Sequence, residues 1–211
     1  MEYLEAEFYT VATTGKTLAQ TGGFMLNGSG NQGTVTGGKK VDFGSHNIVK
    51  AVAEDLALNE QTHVKYIRAA LAQFGQQPVA EPAINLNALG VGFGSVTEFL
   101  TLARAFEDVG VTAYGGAAPL LLNKTGLGVA ARILAVEAEH SGNIRLLVRL
   151  DNVPTAKLDN VDILPPPSGS QYFSDVQSVG QTQVRTPGQV LLEQKAAELK
   201  YNSALPYFFR T

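Results

Sequence analysis

The chain has three histidines, and two of them stand three positions after a glutamate, in Glu60-Gln61-Thr62-His63 and Glu137-Ala138-Glu139-His140. Residues i and i+3 share a helical face, so each pair can offer one carboxylate and one imidazole to the same point. Two further glutamates carry a second regularity, because Tyr9 follows Glu2 by seven positions and Tyr114 follows Glu107 by seven. Seven residues make two helical turns. The order along the chain is therefore Glu…Tyr, Glu-x-x-His, Glu…Tyr, Glu-x-x-His, a twofold repeat of helix pairs. Four carboxylates gathered in an interior repel one another unless cations balance them, and two divalent ions would supply the charge. Carboxylate and imidazole ligands suit iron or manganese, with zinc also possible. Exposed Glu–His pairs at this spacing are common and mean little, and they form the competing reading. The repeated Glu…Tyr spacing weighs against it. The absence of cysteine removes thiolate ligands, disulfides and a cysteine nucleophile.

These residues need helices to hold them. Residues 1 to 13 are dense in helix formers and stop at Gly15, without an N-cap signal at the start. Ser45 is a plausible N-cap for a second helix running to about Phe74, with Leu56, Val64, Ile67, Ala70 and Leu71 as its apolar stripe. Ser95 with Glu98 forms a capping-box pattern that opens a third helix to about Tyr114, which Gly115 and Gly116 would end. Thr125 can cap a fourth, to about Leu150.

Between the first two helices, residues 15 to 44 are rich in Gly, Asn, Thr and Ser and read as a long excursion, with a short hairpin around Val35 and Val41. The sequence after Pro154 carries Pro165-Pro166-Pro167, of polyproline character, and then a short helix with Thr186 as N-cap and Pro187 at its first position. The expected organisation is a helical domain over 1–153 with an insertion at 15–44, followed by a C-terminal extension over 154–211.

Several classes are excluded or weakened. The formal net charge of −3 comes from 16 basic and 19 acidic residues without a run of either sign, so no footprint for nucleic acid or an anionic membrane is visible. No apolar run reaches the length of a membrane span, and no signal peptide pattern opens the chain. Gly90-x-Gly92-x-Gly94 and Gly126-x-Gly128 lack a preceding strand, which argues against phosphate binding. Glu5, Glu7, Asp108 and Glu139 flank the ligand candidates, and helical geometry turns most of them toward the surface or toward interhelix pairing. His46 has no partner spacing and reads as a surface residue. Tyr9 and Tyr114 read first as packed residues with a hydrogen-bonded hydroxyl, and second as groups acting beside the metals. Asn27-Gly-Ser29 and Asn123-Lys-Thr125 match the glycosylation acceptor pattern, which is frequent by accident.

The segments MEYLEAEFY, FEDVGVTAYGGAAPLL, ILAVEAEHSGNIR, PPPSGSQYF and RTPGQVL resemble the ferritin-like family that includes desiccation-related proteins of plants and many bacterial members. The resemblance covers nearly the whole chain and is weakest at 15 to 44 and after Leu192. It implies an all-α, ferritin-like four-helix bundle with a long Gly-rich insertion between helices 1 and 2 and an irregular C-terminal tail. In such bundles a Glu from each of two helices and a Glu-x-x-His from each of the other two hold a metal pair. Glu60 and Glu137 would then bridge the ions, His63 and His140 would each bind one, and Glu2 and Glu107 would complete the two ends. Open positions would accept water, peroxide or dioxygen. The resemblance also implies chemistry on peroxide, dioxygen or ferrous iron in stress protection, or, alternatively, a non-catalytic protective or assembly subunit. A small homo-oligomer is expected in preference to a storage cage, and an extracytoplasmic location is suggested by bacterial relatives.

Overall fold

The computed structural model describes residues 1–165 and 181–190. Along the chain these form α1 (Glu2–Thr14), α2 (Leu18–Thr21), β1 (Val35–Thr36), α3 (Asn47–Gln73), β2 (Ile84–Asn85), α4 (Val96–Ala117), a 3-10 turn (Ala118–Leu120) and α5 (Lys124–Leu150). Four long helices dominate, as the sequence leads one to expect. The chain divides into two compact units, one over Met1–Val96 and the other beginning at Thr97. Each contains one long helix pair.

In the first unit α1 packs along α3. From Glu5 to Thr13 every residue of α1 is buried, so this helix is covered on all sides. Gly15, with φ of 78°, ends it in a left-handed cap whose N–H donates to the Val11 carbonyl. The buried residues of α3, Val49, Ala53, Leu56, Ala57, Glu60, His63 and Val64, recur every three or four positions and form one stripe. Glu60 and His63 lie on that stripe. The N-cap of α3 is His46 and not Ser45, and its side chain makes no capping bond; His46 is exposed, as expected.

No hairpin forms in the glycine-rich excursion. Val35–Thr36 instead pairs in parallel with Ile84–Asn85, from the connection after α3. The Val41 N–H bonds the Ala12 carbonyl. Its other anchors are Ser29, bridged to Val79, and Glu81, whose N–H bonds the Leu26 carbonyl while its own carbonyl accepts from Gly33. The glycines permit this closeness, because a Cβ on Gly33 would stand 1.9 Å from the Ala83 nitrogen. Arg68 of α3 ties the same region down, donating to the Tyr3 hydroxyl and to the Val79 and Asn27 carbonyls.

Glu5 and Glu7, expected at the surface or in interhelix pairs, are fully buried in α1. Both carboxylate oxygens of Glu7 lie 3.1 Å from the Leu18 N–H at the start of α2, and the Glu7 side chain hydrogen-bonds Glu81, which is also buried. Two carboxyl groups in contact away from water are stable when they share a proton. Burial, reinforced by the charge of Glu81, pushes Glu7 up to about 8; burial also raises Glu81, against the pull of its bond to Glu7 and of Arg68.

In the second unit α4 is buried from Phe99 to Thr112 with few gaps, and α5 shows one buried stripe through Ile133, Glu137, His140, Ser141, Ile144, Arg145 and Val148. The cap of α5 is Asn123, whose side chain accepts from the Gly126 N–H; Thr125 lies inside the helix. Nor do Gly115 and Gly116 stop α4, which continues to Ala117. They form a notch for the chain around Arg185, since a Cβ on Gly116 would come within 1.9 Å of the Arg185 carbonyl oxygen. The buried Arg185 guanidinium donates to Asp159 at 2.8 and 3.0 Å and to the Thr112 hydroxyl. Thr186 caps a helical turn there, accepting from the Gln189 N–H. The continuation of that turn past residue 190 and the polyproline stretch at Pro166-Pro167 lie outside the described residues.

A glutamate whose folded-state value lies above its ordinary one favours folding in its protonated form. The contribution of Glu7 is complete below the usual glutamate range and is lost as pH rises through about 8. The melting temperature should fall between about pH 4.5 and about pH 8 and level off above that. Glu7→Gln, which keeps a neutral hydrogen-bonding group, should flatten that decline. An identical profile in the variant, followed by circular dichroism, would show that the pair is not the titrating group.

Candidate metal centre

Each unit brings one carboxylate pair and one histidine together. In the first, Nδ1 of His63 lies 3.2 Å from Oε2 of Glu60 and 3.4 Å from Oε2 of Glu2. In the second, Nδ1 of His140 lies 3.4 Å from Oε2 of Glu107, and Glu137 stands one turn before it on α5. Within each trio the ligand atoms fall within 4.8 Å of one another. Glu60, Glu107 and Glu137 are fully buried, His63 and His140 nearly so, and Glu2 is partly exposed.

The helices explain why. One Glu-x-x-His pair lies on the inward stripe of α3 and the other on that of α5, where the 3.6-residue period would otherwise put aliphatic residues. Glu2 begins α1, and Glu107 occupies the middle of the largely buried α4. Tyr9, two turns beyond Glu2, is fully buried with its ring edge-on to Phe8 at 5.0 Å between centroids; Tyr114 is half-buried.

The donor sets fit a divalent ion. Metal–oxygen and metal–nitrogen bonds of about 2.0–2.2 Å put adjacent ligands about 3 Å apart, close to the separations above. Three buried oxygen and nitrogen donors at that spacing form an incomplete coordination shell that suits a borderline or hard cation. The buried guanidinium groups of Arg104 and Arg145 serve other acids. Arg145 donates to Asp108 at 2.6 Å, and Arg104 donates to both oxygens of Asp162 at 2.8 Å. Asp108 also accepts from the Ser141 hydroxyl at 2.6 Å, so it joins α4 to α5. Burial pushes its carboxyl above the ordinary aspartate range, with Arg145 and then Arg104 pulling it back. The interhelix pairing expected for Asp108 is observed, and Glu139 is exposed as expected.

Sequence reasoning missed the burial of Glu5 and Glu7. Their spacing along α1 carries no sign of it, because the partner of Glu7 is 74 positions away at Glu81, in a loop. It also missed Arg185, a single basic residue in an irregular segment.

Residues 1–150 match the family model of the ferritin-like domain, and the chain belongs to that family. Comparison with curated proteins and with solved structures finds no match. Its mostly helical architecture is that of a ferritin-like helical bundle, and its acidic and histidine clusters suit divalent metal binding. No described helix is long and apolar enough to cross a membrane.

Removing one partner of a buried ion pair leaves the other charged and desolvated. Asp108→Ala should therefore lower the unfolding free energy by about 3–5 kcal/mol, measured by urea denaturation. A loss under about 1 kcal/mol would mean that Arg145 and Arg104 find other acceptors.

Proposed function

We propose that Glu2, Glu60, His63, Glu107, Glu137 and His140 together hold two divalent metal ions and that the centre acts on peroxide or dioxygen, as a ferroxidase, peroxidase or catalase-like oxidoreductase in stress protection. The observation that carries this reading is the repetition of one donor set, two carboxylates and a histidine, on α1 with α3 and again on α4 with α5. Membership of the ferritin-like family over residues 1–150 supports it, since one family domain takes in both helix pairs. In this reading residues 1–153 are the bundle, 154–211 its extension, and the desiccation-related proteins its functional kin.

When bound, iron or manganese supplies the redox equivalents and polarises the oxygen substrate. The protein's own residues do the rest. The glutamates neutralise the ions and keep them close, and the backbone of α3 and α5 fixes the two imidazoles at the same height as their paired carboxylates. Burial of Glu60, Glu107 and Glu137 keeps bulk water from competing for the ions. Tyr9 lies two turns from Glu2 and Tyr114 two turns from Glu107, and in this reading their phenols act beside the metals.

Elemental analysis of tag-free protein should find about two ions of iron or manganese per chain, with peroxide consumption or ferrous oxidation by the same sample. The His63→Ala, His140→Ala double variant should lose the metal and its turnover, whereas Glu139→Gln should keep both. Zinc without turnover would favour the structural or protective role. Unchanged metal content in the double histidine variant would remove the ligand assignment altogether.

A further inference from the structure

The outward face of α5 carries a stripe of small residues that the described residues leave exposed. Gly128, Ala131, Ala135, Ala138 and Gly142 are all exposed, and at 100° per residue they fall within roughly 80° of arc. Glycine inside a helix is unfavourable relative to alanine. It is usually kept where a neighbour comes too close for a Cβ. Among the described residues, a Cβ on Gly128 or Gly142 would meet nothing within 4 Å. Beside the stripe runs an apolar groove of about 730 Å³, lined by Leu134 and Leu146 together with Val111, Ser141, Arg145 and Thr182.

Large apolar side chains stand in solvent at both ends of the same helix. Leu120, Leu121 and Leu122 precede it, at 61%, 38% and 95% exposure, and Leu146 and Leu150, at 45% and 64%, close it. Two exposed charges of opposite sign, Arg132 and Glu139, lie along one edge of the stripe. Neither has an opposite charge three or four positions away on α5 to pair with.

We propose that this face is the interface of a homodimer in which α5 packs antiparallel against α5 of a second copy. The Arg132 and Glu139 edge is self-complementary, as a twofold interface requires. A dyad passing between residues 135 and 136 sets Arg132 opposite Glu139 of the partner subunit and Glu139 opposite the partner's Arg132, both on the same edge. The same axis brings Gly128 within one residue's rise of Gly142 of the partner subunit, so the small residues let the two backbones approach. It also turns Leu150 toward the exposed leucines that precede α5 in the partner subunit. A parallel pairing would bring neither Arg132 nor Glu139 opposite its complement. The contact would run about 40 Å along each helix and 10–12 Å across. It would bury on the order of 900 Å² in total, which suits a weak dimer that dissociates on dilution.

Sedimentation velocity on the full chain over a concentration series tests this. A monomer–dimer equilibrium is expected, which Ala135→Arg should shift to monomer, with the helical circular dichroism of the variant unchanged because residue 135 is exposed. Arg132→Glu alone and Glu139→Arg alone should each weaken dimerisation about tenfold or more, by setting like charges opposite one another twice. Mixing those two variants should restore the dimer, since every facing pair is again of opposite sign, and the double variant should likewise dimerise. A monomer at all concentrations would overturn the proposal. So would a dimer indifferent to Ala135→Arg, or one that the mixed variants fail to restore.

Discussion

Buried carboxylate is the constraint around which this protein is built. A carboxylate taken out of water must be neutralised, hydrogen-bonded or protonated, and the chain uses all three remedies in different places. Asp108 and Asp162 take guanidinium partners. Glu7 accepts a backbone N–H and shares a proton with Glu81. In the two trios a histidine stands 3.2 to 3.4 Å from carboxylate oxygens, a spacing that suits donors around a cation.

That contrast separates the acids that pair with guanidinium groups from those of the trios. The aspartates join helix to helix or loop to helix, so their partners come from distant segments with the right shape. The glutamates of the trios come from regular positions on long helices, where rigidity fixes their separations. Precision of this kind is easier to obtain from helices than from loops.

For the same reason the trios were legible in the sequence and much else was not. Glu60 with His63, and Glu137 with His140, announce themselves because helical period converts spacing directly into a shared face. Gly115 and Gly116 were read as a helix stop because the segment they accommodate, around Arg185, is some 70 residues away. Val35 suggested a hairpin because local composition cannot reveal a parallel partner at Ile84. Glu7 looked like a surface acid for want of any mark linking it to Glu81. Local rules served wherever the determining contact was local, as at the αL cap of Gly15, and failed where it was remote.

The parallel pairing of β1 with β2 reaches beyond the four residues that form it. Together with the Ser29–Val79 bridge and the bonds at Glu81, it fuses two long connections, one on either side of α3, into a single woven patch. Backbone groups of each segment in that weave bond backbone groups of the other. Evolution, or an engineer, can therefore lengthen, trim or exchange these two loops only as a unit, because each is the other's template.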